Sequence, residues 1–127
     1  MARKKILIVD DEPSVRMVVA KQMSPEFEVM ETSNGIQTFD ICVHERPDLV
    51  LLDIMMPQKD GYSVLKDLKE DSRTEKIPVV IVSGIDFPLN KILASQLGAA
   101  GYLTKPFSGS ELKMQISNAL KPQRKFI

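Results

Sequence analysis

The sequence contains no tryptophan and only one cysteine, Cys42. A single cysteine cannot form an internal disulfide bond, which excludes a disulfide-stabilised scaffold and is consistent with a reducing compartment. The chain also has no net charge, since 17 basic residues balance 17 acidic ones. It therefore lacks the basic field on which nonspecific nucleic-acid binding depends, and we expect no nucleic-acid contact by this domain.

Long apolar runs are also missing. The longest, such as residues 49–52 and 78–82, are far shorter than the roughly 18 residues of a membrane span. The basic residues 3–5 precede a short apolar run that ends in acids, which is unlike a secretory signal peptide. The expectations are a cytoplasmic location and no membrane partner.

What the sequence does have is the composition of one folded domain. Its 127 residues are 43% hydrophobic and 27% charged, close to ordinary globular usage. A chain of this size can bury one sizeable core. We expect the domain to span residues 1–122, with residues 123–127 as a short basic tail or the start of a linker.

The hydrophobic pattern predicts five strands that alternate with five helices. Strands are predicted at residues 6–9, 27–31, 49–52, 78–82 and 99–104. Helical spacing predicts a first helix from Pro13 to Met23, a second with the apolar residues Ile36, Phe39 and Val43, and a third from Asp60 through Leu68. A fourth helix is predicted from the apolar residues Leu89, Ile92, Leu93 and Leu97, with Gly98 at its end. A fifth is predicted to begin with a capping box and a hydrophobic staple, formed by Phe107, Ser108, Glu111 and Leu112. Because several strands are apolar throughout, the pattern favours an α/β fold with a doubly wound parallel sheet.

Polar residues with catalytic potential follow the predicted strands. Asp10 and Asp11 end the first, Asp53 the third, Ser83 the fourth and Lys105 the fifth. In parallel sheets, ligands bind outside the carboxyl ends of the strands, so these side chains are expected to converge. Clustered carboxylates need a compensating cation, and an all-oxygen set suits Mg²⁺. A carboxylate is also a nucleophile toward phosphoryl groups, and Asp53, alone at the end of a central strand, is the best candidate.

Together these motifs resemble the receiver domain of two-component response regulators, and are similar to the stand-alone chemotaxis-type regulators. The resemblance covers essentially the whole chain. The matching segments are residues 6–13, 51–57, Gly61, 78–84 and 98–107. It implies a flavodoxin-like fold with strand order 2-1-3-4-5. It also implies that Asp53 accepts a phosphoryl group from a phosphohistidine on a histidine kinase or a histidine phosphotransfer protein.

The resemblance further implies roles for the residues around Asp53. Asp10 and Asp11 would hold Mg²⁺, with Mn²⁺ as an alternative, together with Asp53 and the backbone carbonyl of Met55. Such a domain is not an enzyme acting on other molecules; it catalyses Mg²⁺-dependent phosphorylation of its own aspartate and slow self-dephosphorylation.

Signalling would run from the phosphoryl group to a distant surface. Lys105 and Ser83 would contact the phosphoryl oxygens, and Tyr102 matches the family's switch aromatic. The face made by the fourth helix, fifth strand and fifth helix would then bind a downstream protein target or an output domain, or form a dimer. Met55 and Ile85, each two residues after a site residue, are expected to flank the phosphoryl group, exclude water and prolong its lifetime.

Three alternatives remain open from the sequence. A small aspartyl-phosphate phosphatase would place its two acids one residue apart on the first strand, whereas Asp10 and Asp11 are adjacent. A flavin phosphate binder would want a glycine- and hydroxyl-rich first loop, which this acid pair would repel. A receiver-like domain that binds partners without phosphorylation would be expected to lose one of the five strand-end residues, and all five are present.

Overall fold

The computed structural model describes residues 3–122, and over this range strands and helices alternate as predicted. In chain order the elements are β1 (Lys5–Val9), α1 (Pro13–Met23), β2 (Glu28–Thr32), α2 (Gly35–Glu45), β3 (Leu49–Asp53), α3 (Gly61–Glu70), β4 (Val79–Ser83), α4 (Pro88–Gln96), β5 (Gly101–Thr104) and α5 (Gly109–Leu120). The tail predicted at residues 123–127 lies outside the described residues. No helix in the described part of the chain has the length and apolarity needed to cross a membrane.

The five strands form one parallel sheet in the order β2-β1-β3-β4-β5, which confirms the predicted doubly wound arrangement. The central strand β3 and its neighbour β4 are buried along their whole length, and its other neighbour, β1, is buried after its first residue. This burial explains their continuous apolar sequences. The fifth strand begins at Gly101 rather than at Ala99, because the Ala99 N–H donates to the carbonyl of Ala94 in α4 at 3.0 Å.

Successive side chains of each central strand pack on opposite faces of the sheet, so the protein has two apolar layers. In β1, Leu7 belongs to the layer shared with α2, α3 and α4, whereas Ile6 and Ile8 belong to the layer shared with α1 and α5. The lone cysteine, Cys42, is fully buried in the first layer. Helices on both faces leave the two ends of the sheet accessible, and the carboxyl end carries the candidate site.

The helix ends follow the sequence signals. Ser108 caps α5 by accepting from the Glu111 N–H at 3.1 Å, and the Glu111 side chain accepts from the Ser108 N–H, which confirms the predicted capping box. Asp60 caps α3 by accepting from the Ser63 N–H at 3.0 Å. Gly98 follows α4 with φ of 100°, a conformation that favours glycine.

The first residue of α3 lies directly against the end of β3. A Cβ atom built on Gly61 would stand 2.4 Å from the carbonyl oxygen of Asp53 and 2.6 Å from the Cα of Ile54. The Gly61 N–H donates to the Ile54 carbonyl at 2.8 Å. This close approach fixes the backbone that carries Asp53.

Candidate functional site

The strand register brings the predicted site residues to one edge of the sheet. Val9 lies opposite Leu52, so the residues that follow them, Asp10 and Asp53, occupy neighbouring positions. Ser83 lies opposite Thr104, and its carbonyl accepts from the N–H of Lys105, the next residue, at 2.7 Å. The structure therefore groups these residues as the sequence predicted.

Two buried carboxylates form the centre of the site. Asp10 is fully buried and Asp53 is 2% exposed. The Asp10 Oδ1 accepts from the Glu12 N–H at 2.9 Å, and the Asp53 Oδ1 accepts from the Met55 N–H at 3.3 Å. The second oxygen of Asp10, Oδ2, lies 2.9 Å from the Lys105 ammonium but accepts no well-directed hydrogen bond from any described residue. Burying such a group is costly unless a cation accompanies it.

Lys105 is the cation at this centre. Its Nζ lies 2.9 Å from Asp10 Oδ2, 3.1 Å from Glu12 Oε1 and 3.8 Å from Asp53 Oδ1. Burial alone would lower the pKa of Lys105, but hydrogen bonding and attraction to these carboxylates raise it above its ordinary value. The ammonium group therefore stays charged beside the carboxylates at neutral pH.

Asp53 is held in an unfavourable environment for a free carboxylate. Burial and the neighbouring charge of Asp10 raise the pKa of Asp53 to about 6, although Lys105 and the Met55 N–H oppose the shift. Negative charge from the protein thus accumulates around Asp53, and a cation would relieve it.

The acidic residues suit a divalent metal ion. One carboxylate oxygen from each of Asp10, Asp11, Glu12 and Asp53 lies within 4.8 Å of the other three. Asp10 and Asp53 are buried, whereas Asp11 and Glu12 are exposed. The set contains only oxygen donors, and its solvent-facing side leaves room for retained water, which is the arrangement that Mg²⁺ prefers. The burial of Asp10, which brings a carboxylate into this oxygen-only set, supports the fit.

Glu12 is a site residue that the sequence reasoning missed. It directly follows the acid pair, and the only signal was a third acid in the same loop. Its contact with Lys105 joins residues 93 positions apart in the chain. The sequence reasoning selected residues at or directly after the end of each strand, so it did not find a side chain that reaches back from the start of α1.

Ser83 and Tyr102 lie on the side of the site toward α4. Ser83 is fully buried, and its Oγ accepts from the Ile85 N–H at 3.1 Å. The half-buried Tyr102 donates its hydroxyl proton to the Ile85 carbonyl at 2.6 Å. Residues 83–85 therefore connect the site to the aromatic ring of β5. Ile85 is half-buried and Met55 is 64% exposed at the mouth of the site.

Chemically, the site offers a buried carboxylate that could act as a nucleophile, a lysine charge, a buried hydroxyl and a cluster of carboxylate oxygens that could hold a metal ion, all within one small region. Positioned cations and hydroxyl groups are what a transferring phosphoryl group requires, because its oxygens carry most of the charge in the transition state.

Known proteins resemble this chain in sequence. Residues 6–117 match the family model of the response regulator receiver domain. The chain is 39% identical to response regulator Rre1 of Synechocystis over 94% of this chain and 52% of the relative. It is 37% identical to the phosphate regulon transcriptional regulatory protein PhoB of Pseudomonas aeruginosa, over 95% of this chain and 53% of that protein. The chain thus spans about half the length of these curated relatives.

Solved structures give the same result for the fold. The chemotaxis protein CheY4 of Vibrio cholerae superposes with a TM-score of 0.88 at 27% identity, covering 94% of this chain and all of that one. The BeF3-activated N-terminal receiver domain of Klebsiella pneumoniae RstA gives 0.85 at 31% identity, with 94% of this chain and 100% of that chain covered. These matches favour neither a phosphatase nor a flavin binder. The chain belongs to the receiver domain family of two-component response regulators.

Proposed function

We propose that Asp53 is the phosphoacceptor of this receiver domain and takes its phosphoryl group from a phosphohistidine of a histidine kinase or histidine phosphotransfer protein. The observation that carries this proposal is the position of Asp53. Its carboxylate is buried at the end of a central strand, 3.8 Å from the Lys105 ammonium and within the acidic cluster.

In the proposed reaction, an Asp53 oxygen forms a bond to phosphorus while the bond from phosphorus to the histidine nitrogen breaks. The electron pair of that bond returns to the imidazole ring. Lys105 and Ser83 balance charge on the phosphoryl oxygens. Asp10, Asp11, Asp53 and the Met55 carbonyl would hold Mg²⁺ or Mn²⁺, which supplies further positive charge. Slow hydrolysis by water then restores the carboxylate.

The signal would leave the site through Ser83. Contact of its hydroxyl with a phosphoryl oxygen would change the hydrogen bond that Ser83 makes to the Ile85 N–H. Because Tyr102 donates to the carbonyl of the same Ile85, the position of its ring is coupled to the site. Phosphorylation would shift the population toward a form in which the surface of α4, β5 and α5 binds its target.

Two kinds of recipient for this signal are consistent with the relatives. The chain spans about half of proteins named as transcriptional regulators, which supports an output domain in the whole protein. A separate downstream protein is the alternative, and dimerisation through the surface of α4, β5 and α5 could serve either. A location in the cytoplasm, where kinases of this class act, completes the proposal.

The experiment is phosphorylation by acetyl phosphate with Mg²⁺, followed by intact mass measurement. We expect the wild type to gain one phosphoryl group and Asp53→Asn to gain none. The matched control is Asp40→Asn, which removes an exposed aspartate of α2 and should be phosphorylated normally. Unchanged phosphorylation of Asp53→Asn would show that the acceptor is another residue.

A further inference from the structure

The side chain of Glu12 contacts the site without making a hydrogen bond to the helix that Glu12 precedes. It occupies the N-cap position of α1, but its side chain makes no capping hydrogen bond. Instead, Oε1 accepts from the Lys105 ammonium at 3.1 Å. The backbone of Glu12 is fixed by its N–H, which donates to Asp10 Oδ1 at 2.9 Å. Its carboxylate is thereby held where it reaches across to β5.

The three carboxylates around Lys105 do not share it equally. Asp10 and Glu12 lie within hydrogen-bond distance of Nζ, at 2.9 and 3.1 Å, but Asp53 lies at 3.8 Å. A hydrogen bond from an ammonium to a carboxylate is normally about 2.7–2.9 Å long. The resting lysine is therefore bound on the α1 side of the site and only attracted, at longer range, to Asp53.

We propose that Glu12 is a positioning residue that holds the Lys105 ammonium away from Asp53 until a phosphoryl group forms there. This inference rests on the proposed function. The ammonium of Lys105 has to move toward Asp53 to contact a phosphoryl oxygen there, and this movement lengthens its contact with Glu12, so Glu12 competes with the transition state for the same charge. The side chain of Glu12 is 57% exposed and that of Lys105 is 18% exposed, so the competition is weak and the lysine can leave.

The first test measures the initial rate of phosphoprotein formation with acetyl phosphate at saturating Mg²⁺. Phosphorus then bonds to Asp53 as its bond to the acetyl oxygen breaks, and acetate leaves. Glu12→Gln should raise the rate about two- to fivefold, the range expected for releasing one exposed ion pair. Because the side chain of Glu12 caps nothing, the variant should fold normally, which its circular dichroism spectrum checks.

The Lys105→Ala background separates positioning from simple charge. Removal of a negative charge near the site could also speed the approach of an anionic donor. If Glu12 acts through the lysine, Glu12→Gln has no effect on the rate in Lys105→Ala. The same acceleration in both backgrounds would overturn the proposal. The absence of any acceleration in the protein that keeps Lys105 would also overturn it.

A second readout does not depend on activity. In the metal-free protein, the NMR signal of the Lys105 side-chain nitrogen should shift in Glu12→Gln, because the ammonium loses one of its two close partners; an unchanged signal would contradict the inference. Failure here is distinct from failure of the proposed function. If no protein containing Asp53 gained a phosphoryl group, the proposed function would be wrong, whereas normal phosphorylation at unaltered rates would reject only the role of Glu12.

Discussion

At the scale of single residues, the site concentrates negative charge around a buried aspartate. Burial and the charge of Asp10 raise the pKa of Asp53 to about 6. In the unfolded chain the same carboxyl titrates near 3.9. Keeping Asp53 charged in the metal-free fold therefore costs stability at neutral pH.

Because of this cost, we expect the Asp53→Asn substitution to increase the free energy of unfolding. Between about pH 4 and pH 6 the folded state binds a proton at Asp53 that the unfolded state has lost, so the contribution of this group falls as pH rises and stays low above pH 6. Without Mg²⁺, Asp53→Asn should be more stable than the wild type at pH 7.5 by about 1 to 3 kcal/mol. Urea unfolding measures the difference.

The same experiment has two internal controls. The gain of Asp53→Asn should shrink at pH 4, where the wild-type carboxyl is mostly protonated, and Mg²⁺ should stabilise the wild type more than the variant. An equal gain at both pH values would show that charge is not its cause.

We expect the side chains of Met55 and Ile85 to prolong the lifetime of the phosphorylated state. Apolar side chains beside the acceptor give an attacking water no hydrogen-bond partner, so Met55→Asn with Ile85→Glu should speed dephosphorylation roughly 5- to 150-fold. The decay of the phosphoprotein after removal of the donor measures this. Met114→Asn replaces a comparably exposed methionine on α5, 60% against 64% for Met55, and serves as control. Unchanged or slower decay in the folded double variant would reject the shielding role.

Sequence reasoning predicted the placement of residues that the backbone fixes, and it missed contacts that depend on the reach of long side chains. Asp10, Asp53 and Ser83 follow from strand ends and parallel register, which local patterns predict. The contact of Glu12 with Lys105 depends on the rotamers of two long side chains on distant elements, and the hydrogen bond from Tyr102 to the Ile85 carbonyl depends on how one loop folds back. Neither leaves a periodic signal in the sequence.

At the scale of secondary-structure elements, α4 is held less firmly than the other helices. Its spacing of leucine and isoleucine predicted a helix correctly, but Leu89, Ile92 and Leu93 are 41–75% exposed, and Ala94 is its buried residue. Periodicity shows that apolar residues share a face; it does not show whether that face meets the sheet. The α4 helix is thus the element best suited to move at small cost.

Contacts at the start of α4 restrain this motion. Lys91 pairs with Asp86 at 2.7 Å and lies 5.9 Å from the centre of the Tyr102 ring, within cation–π range. Lys91→Met should therefore accelerate amide hydrogen exchange in residues 84–87 and shift the Tyr102 resonances. Lys66→Met, an exposed lysine on α3, is the control. Equal exchange in both variants would mean that Lys91 does not restrain the loop.

The capping box of α5 gives a prediction for stability. Ser108→Ala removes the hydrogen bond to the Glu111 N–H and should lower the free energy of unfolding by about 0.5 to 2 kcal/mol. The loss should be global, because Leu112 and Ile116 of α5 belong to the apolar layer shared with α1. Ser110→Ala makes the same substitution two residues later, outside the cap, and should change stability less. Equal losses would argue against the cap.

At the scale of the whole molecule, the sheet has a fully buried centre and more exposed edge strands, β2 and β5. The central strands are buried from end to end and carry Asp53 and Ser83. Their continuous apolar sequences made the fold predictable, since such short runs, alternating with helical segments, are typical of a parallel sheet covered on both faces.

The reactivity of Cys42 can be used to measure how often the folded protein opens. It is fully buried, and burial raises the pKa of its thiol to about 12. Because the thiolate is the reactive form, iodoacetamide should modify Cys42 only when the protein opens. Labelling should be slow in native buffer, faster with urea, and slowed by Mg²⁺ to the extent that Mg²⁺ stabilises the fold. Rapid labelling of protein that remains folded by circular dichroism would contradict this placement.

Two glycines near the site differ in how much sequence variation they permit. A side chain at position 61 would collide with the backbone of Asp53 and Ile54, and backbone cannot rotate aside as a flexible side chain can. At Gly84, by contrast, an added Cβ would meet no atom within 4 Å. Position 84 is therefore open to diversification for new signalling properties, whereas position 61 admits only glycine as long as Asp53 keeps its place.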